Sequence, residues 1–220
     1  MKIDKTNHFS YLFIALTGML LSAAVVAQVA SPAAQLFFSI VLVAMLLLSI
    51  KSLHIRLTLK TLAVVLAAAM ILNRLVTAAW SHLFVLATLL YFFVSAFMSA
   101  FRQVLFEGEI DRNKMIGSIT LYMLLGNIWT VLYLMLLVFD PDAFGGLHIT
   151  DWQEGFARVA YFSFVTLTTL GYGDITPQTP VAQFFVYMEA IAGVFYMAVV
   201  VSSIVAMRLQ SLQHNREEKK

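Results

Sequence analysis

Residues 161–174 read Tyr161-Phe162-Ser163-Phe164-Val165-Thr166-Leu167-Thr168-Thr169-Leu170-Gly171-Tyr172-Gly173-Asp174, and their reading decides the fold. The apolar stretch they belong to, Phe156–Leu170, is too short to cross a bilayer core, which takes about 20 residues of helix. It stands between two runs that are long enough, Met115–Phe139 and Pro180–Met207. A half-length segment ending in glycines and an acid reads as a re-entrant loop. Irregular backbone is tolerated at membrane depth only where protein buries it or water lines it. The loop is therefore expected to face a water-filled path.

The rest of the chain has the composition such a loop needs around it. Of 220 residues, 61% are hydrophobic and 12% charged, with a mean hydropathy of +0.86. A soluble domain carries about 25% charged residues, so a soluble enzyme and a disordered chain are both excluded. The chain has no cysteine, which removes disulfides, thiol catalysis and thiolate metal sites. A net charge of +2 implies no broad basic face and no nucleic-acid partner. Four further apolar runs precede residue 102: Phe9–Ala30, Ala33–Ile50, Thr61–Ala79 and His82–Phe101. Ser31-Pro32 reads as the turn between the first two. The expected fold is an all-α membrane protein of six transmembrane helices, with the re-entrant helix and loop between the fifth and sixth.

Charge sets the orientation. With six spans, 12 of the 14 Lys and Arg fall on one side together with both termini, and only Arg74 and Arg158 lie elsewhere. The positive-inside rule makes that side cytoplasmic. Asp140, Asp142, Asp151, Glu154 and Asp174 then form an acidic outer surface that attracts cations. Lys2, Lys5 and the Ala-Gln-Val-Ala near residue 30 also fit a cleaved signal peptide, which would leave five spans in the same orientation. The run Tyr11–Ala27 exceeds the usual signal core, and this favours a retained first helix.

The residue types of the loop suit a dehydrated cation. Backbone carbonyls can replace a hydration shell if they all point to one axis. An extended strand alternates its carbonyls, and residues that enter left-handed conformations correct the alternation, glycine at least cost. Gly171 and Gly173 are spaced two apart as this requires, and Thr169 can add a hydroxyl at the inner mouth. A short helix over about Gln153–Thr168 would aim its negative end at the pore centre.

At these residues the sequence resembles the potassium channel family. That family's filter consensus is Thr-Val-Gly-Tyr-Gly, and this chain has Thr169-Leu170-Gly171-Tyr172-Gly173. The resemblance covers residues 115–208, and the chain as a whole resembles a bacterial six-span potassium channel without a voltage sensor. It implies a selectivity filter at Thr169–Gly173, with K+ held at Thr169, Leu170, Gly171 and Tyr172. It implies no cofactor beyond the permeant K+, three identical partner subunits around one axis, and a bacterial inner membrane. The implied organisation is a peripheral four-helix unit over 1–101, a cytoplasmic linker over 102–114, a pore domain over 115–208 and a short tail over 209–220. Leu170 replaces the usual valine, and its side chain is expected to pack away from the axis.

Around the filter the resemblance assigns supporting roles to Tyr161, Phe162, Val165, Thr168, Asp174 and Glu189. In the family the acid after the filter is held by an indole or a carboxyl of the pore helix. Here the matching positions are Tyr161 and Val165, so Asp174 is either held by the Tyr161 hydroxyl or simply solvated. Tyr172 is expected to pack outward on pore-helix aromatics such as Phe162. Gly193, 20 residues beyond Gly173, matches the inner-helix hinge, and close helix packing is the alternative reason for a glycine there. Val194, Met197, Val201 and Val205 share one face by α-helical spacing and line the expected gate. Glu189, an acid inside a span, must face protein or water. It either braces the pore helix through Ser163 or Thr166, senses protons, or is a protonated acid with one hydrogen bond and no role in gating.

The run Leu75–Phe101 carries no Lys or Arg, so weak voltage dependence is expected. Other readings of the chain are a less selective monovalent cation channel and, from another class, a transporter subunit. No nucleophile–base pair or metal-ligand spacing supports an enzyme.

Overall fold

The computed structural model describes residues 8–29, 31–52, 79–106, 112–147, 149, 151–203 and 205–206. Helix α1 spans His8–Val29, α2 Pro32–Ser52, α3 Ala79–Phe106 and α4 Arg112–Phe139. A two-residue strand β1, Phe144–Gly145, precedes the short helix α5, Trp152–Leu167. Strand β2, Thr176–Pro177, pairs antiparallel with β1, and α6 follows over Pro180–Phe195. Beyond α6 the chain continues as a π-helical turn, Tyr196–Val201.

Among the described residues four helical stretches are long and apolar enough to cross a membrane: Phe9–Val29, Trp80–Phe106, Asn113–Phe139 and Pro180–Val201. The described apolar part of α2, Ala33–Met45, is shorter. The expected third span, Thr61–Ala79, lies outside the described residues but for its last, as does the expected tail. Each long helix buries a stripe and leaves an apolar face exposed. On α1 the buried stripe is Leu12, Leu16, Met19, Ala23 and Val26, while Ile14, Leu21 and Val25 are exposed. An apolar residue on the outer face is unfavourable in water and ordinary against lipid tails, so the pattern fits membrane helices.

Two boundaries differ from the expectation. Helix α3 starts at Ala79 and runs to Phe106, where His82–Phe101 was expected. Residues 102–106 thus extend α3 and 112–114 open α4, and the rest of the linker expected over 102–114, residues 107–111, lies outside the described residues. The charges of this stretch mark the membrane surface, but no Pro or Gly interrupts the helix before Gly108. Val104 is buried, and it faces Gly117 on α4 with Phe9 of α1 beside it.

The first helix is not peripheral to the later segment. It packs on α2, on α4 and on α5. The Phe9 amide donates to Asn113 Oδ1 at 3.3 Å, which joins the start of α1 to the start of α4. At the opposite end α2 is stapled to the start of α5. Gln35 Nε2 donates to Glu154 Oε1 at 3.0 Å, and Gln153 Nε2 donates to Ser39 Oγ at 2.9 Å. Phe38 lies between these bonds, 5.5 Å from the Phe156 ring. The short helix α5 is therefore held from the α1–α2 side as well as from α4 and α6.

Candidate functional site

Helix α5 begins with Asp151 as its N-cap, whose Oδ1 accepts from the Gln153 amide at 3.0 Å. It ends in a way that builds the loop. The Thr169 amide donates to the Thr166 carbonyl, and the Leu170 amide donates to the Val165 carbonyl, both at 2.9 Å. This pair of bonds, with a left-handed residue after the cap, is a Schellman stop. The left-handed residue is Thr169, at φ 59°. A β-branched residue with positive φ is unusual and costs about 1–2 kcal/mol. Gly171 and Gly173 follow at φ 55° and 79°. Every second residue from 169 to 173 therefore has positive φ, and Thr169 both stops the helix and starts the alternation.

The supporting residues act mostly through the main chain. Val165 is half-buried and its side chain cannot bond, but its carbonyl accepts from both Leu170 and Gly171. The Thr168 hydroxyl turns back to the Phe164 carbonyl at 2.7 Å. Tyr161 stacks on Tyr172, with planes 8° apart and centroids at 6.5 Å. The ring partner of Tyr172 is thus Tyr161 where Phe162 was expected. Phe162 lies one residue, or about 100°, further round the helix and packs at 5.3 Å on Tyr133 and 5.4 Å on Phe144. The Tyr161 hydroxyl faces the Asp174 carboxylate. Slight desolvation and the facing carboxylate both hold this phenol above its ordinary pKa. Asp174 itself is exposed in the single chain.

Two glycines bring the neighbouring helices onto α5. A Cβ at Gly126 would come within 2.6 Å of the Phe164 ring. A Cβ at Gly193 would come within 2.0 Å of the Leu167 carbonyl oxygen. That oxygen also accepts from the Tyr122 hydroxyl at 3.0 Å. Close approach therefore accounts for Gly193, and α-helical geometry continues through it to Phe195. The departure from α geometry comes later, at Tyr196–Val201. A π turn closes i to i+5 and takes up one extra residue, so residues beyond it are turned back by about 100°. Val194 and Val205 consequently do not share the single face that α spacing implied. Val194, Met197 and Val205 are exposed and Val201 is half-buried. Tyr196 and Val200 are buried, the Tyr196 hydroxyl donating to the Ser118 carbonyl on α4.

Glu189 is fully buried where α4, α5 and α6 meet. Its Oε1 is 2.5 Å from Ser163 Oγ and its Oε2 2.5 Å from the Tyr133 hydroxyl. Of the two partners weighed from sequence, the contact is with Ser163; Thr166 instead offers its carbonyl to Thr169. Tyr133, Gly126 and Tyr122 were not found from sequence. Their signal is spacing: Tyr122, Gly126, Thr130 and Tyr133 recur every three or four residues along an otherwise apolar helix.

Residues 119–209 match a family model described as an ion channel. Over 58 residues the chain is 40% identical to the two pore potassium channel c of Oryza sativa subsp. japonica, which is 26% of this chain and 13% of that protein. The chain thus covers only a small part of that relative's length. No solved structure matches the chain. The fold is helical, with four helices among the described residues long and apolar enough to cross a membrane, and the segment that matches the ion-channel model contains the loop.

Proposed function

We propose that the chain is one of four identical subunits of a channel that conducts K+ passively through Thr169–Gly173. The alternation of positive φ at Thr169, Gly171 and Gly173 carries this reading. Turning every second peptide is what an extended segment needs to present successive carbonyls to one axis and so replace the hydration shell of K+. The C-terminal end of α5 leads straight into the loop and adds its negative dipole end. The large apolar residues Leu170 and Tyr172 are 55% and 67% exposed in a single chain, and α6 carries a further apolar face with Phe184, Tyr187 and Ile191. Contact with copies of the same chain would cover them, and one loop per chain requires four chains around an axis. The ion-channel match and the name of the rice relative support the class.

In this reading the channel has six spans with both termini cytoplasmic, lies in a bacterial inner membrane, and has little voltage dependence. Val194, Met197 and Val201 are the candidates for an apolar constriction that closes by dewetting. A less selective cation pore is the second reading. It is favoured by Leu170 in the filter and by the lack of any side-chain bond from Val165 to Asp174. Purified protein in liposomes tests the proposal by flux. K+ efflux should exceed Na+ efflux by more than about tenfold, a difference of only 1.4 kcal/mol. Equal fluxes would leave the second reading.

A further inference from the structure

Three close oxygen–oxygen contacts meet around Glu189, and the hydroxyls that make them carry two hydrogens. Tyr133 Oη lies 2.5 Å from Glu189 Oε2. Ser163 Oγ lies 2.5 Å from Glu189 Oε1 and also 2.8 Å from the Gly126 carbonyl oxygen. A hydroxyl has one hydrogen to donate, while a carboxylate and a backbone carbonyl have none. Tyr133 spends its hydrogen on Oε2. The Ser163 hydrogen can serve Oε1 or Gly126, but not both. If Glu189 were ionised, one contact would be two lone-pair oxygens with nothing between them. The Thr130 hydroxyl, which also donates to Gly126 at 2.8 Å, does not lie in that gap.

We infer that Glu189 is held as the neutral acid, with its proton on Oε1 donated to Ser163, which in turn donates to Gly126. The bonds then run from Tyr133 to Glu189 to Ser163 to Gly126, and each hydrogen is used once. This chain crosses α4, α6, α5 and α4 again, so a single proton closes the polar link among the three helices. The surroundings agree. Among the described residues the titratable groups facing Glu189 are Tyr133 and Tyr122, both on α4, and α5 presents Ser163. None of these supplies positive charge, and a buried carboxylate without a cation is strongly disfavoured. Glu189 is then a positioning residue for the loop. Ser163 sits on the helix whose last turn, through Val165, receives the amides of Leu170 and Gly171. Only this link to conduction rests on the channel reading; the proton does not.

The test is an infrared difference spectrum between the wild-type protein and Glu189→Gln, both in lipid at neutral pH. The carbonyl stretch of a protonated carboxylic acid should be present in the wild type and missing in the variant. Loss of a carboxylate band instead would overturn the assignment. If the variant does not fold, isotopic labelling of glutamate in the wild type decides, because the protonated-acid band must then shift. A second readout is thermal stability. Glutamine offers a donor end and an acceptor end as the neutral acid does, with one extra N–H, so its melting temperature should stay close to wild type. Glu189→Ala, which strands the Tyr133 and Ser163 hydroxyls, should melt at least about 4 °C lower. A glutamine variant as damaged as the alanine variant would contradict the neutral acid. Neither readout uses conduction, so the assignment and the channel reading fail separately.

Discussion

Gly173→Ala is expected to remove the preference for K+ and to weaken the assembled channel. The effect is conformational, since within one chain nothing lies within 4 Å of a Cβ built at Gly173. Its φ is 79°, beyond the narrow left-handed region open to L-residues. A side chain there costs about 1–2 kcal/mol per chain. Thr169 already carries a penalty of that kind two turns of the alternation earlier. Four new penalties at one axis sum to about 4–8 kcal/mol, comparable with the whole stability of an ordinary domain. The loop is expected to relax by flipping a peptide, which takes one carbonyl ring away from the ion. Reversal potentials under a K+/Na+ gradient should move from the K+ potential toward zero, or the current should vanish. A variant as selective as the wild type would show that the positive φ at this position is dispensable.

Gly193→Ala separates two reasons for the same glycine. If Gly193 were chiefly a hinge, alanine would stiffen α6 and raise helix stability by about 1 kcal/mol. The protein would then melt no lower than wild type, and the proposed channel would open less often. The structure predicts the opposite. The new methyl would sit 2.0 Å from the Leu167 carbonyl oxygen and 2.9 Å from its carbon, and backbone cannot rotate aside. Either α6 moves off the end of α5, or the Schellman turn that launches the loop shifts. Overpacking of this sort costs about 1–3 kcal/mol, which lowers the melting temperature by about 2–4 °C per kcal/mol for a chain of this size. It also strains the bond from Tyr122 to the same carbonyl. A thermal melt of the purified protein in detergent reads this, with a fall expected and an unchanged or raised value contradicting it.

Which parts of this were legible in the sequence follows from what hydropathy encodes. Length and apolarity mark where a helix crosses, and a half-length run marks a re-entrant one. The ends of α1 and α4, the start of α6 and the position of α5 could therefore be read to within a few residues. Azimuth is a different matter. In an apolar helix that faces lipid on one side and protein on the other, hydrophobicity hardly varies around the circumference. The spacing of Tyr122, Gly126, Thr130 and Tyr133 marks a face of α4, but nothing in it says that this face meets Glu189, 56 residues later. The left-handed turn at Thr169 was missed because positive φ is read from glycine. Here the bonds to Val165 and Thr166 hold a threonine in that conformation. The π turn had no signal either. Tyr196-Met197-Ala198-Val199-Val200-Val201 contains no Gly or Pro. Burial of Tyr196 and Val200 against α4 accompanies the change in winding. The extension of α3 through Arg102 and Gln103 shows the converse limit, since charge marks the membrane surface and not the end of a helix.

The central claim is that Thr169–Gly173 of four chains select K+ by their carbonyls. The most direct measurement is the reversal potential of the purified protein in a planar bilayer with K+ on one side and Na+ on the other. A reversal near the K+ equilibrium potential is the predicted result, and it would make Leu170 a tolerated variant of the filter. Current that reverses near zero would contradict selection at this loop and leave a cation pore of low selectivity in its place.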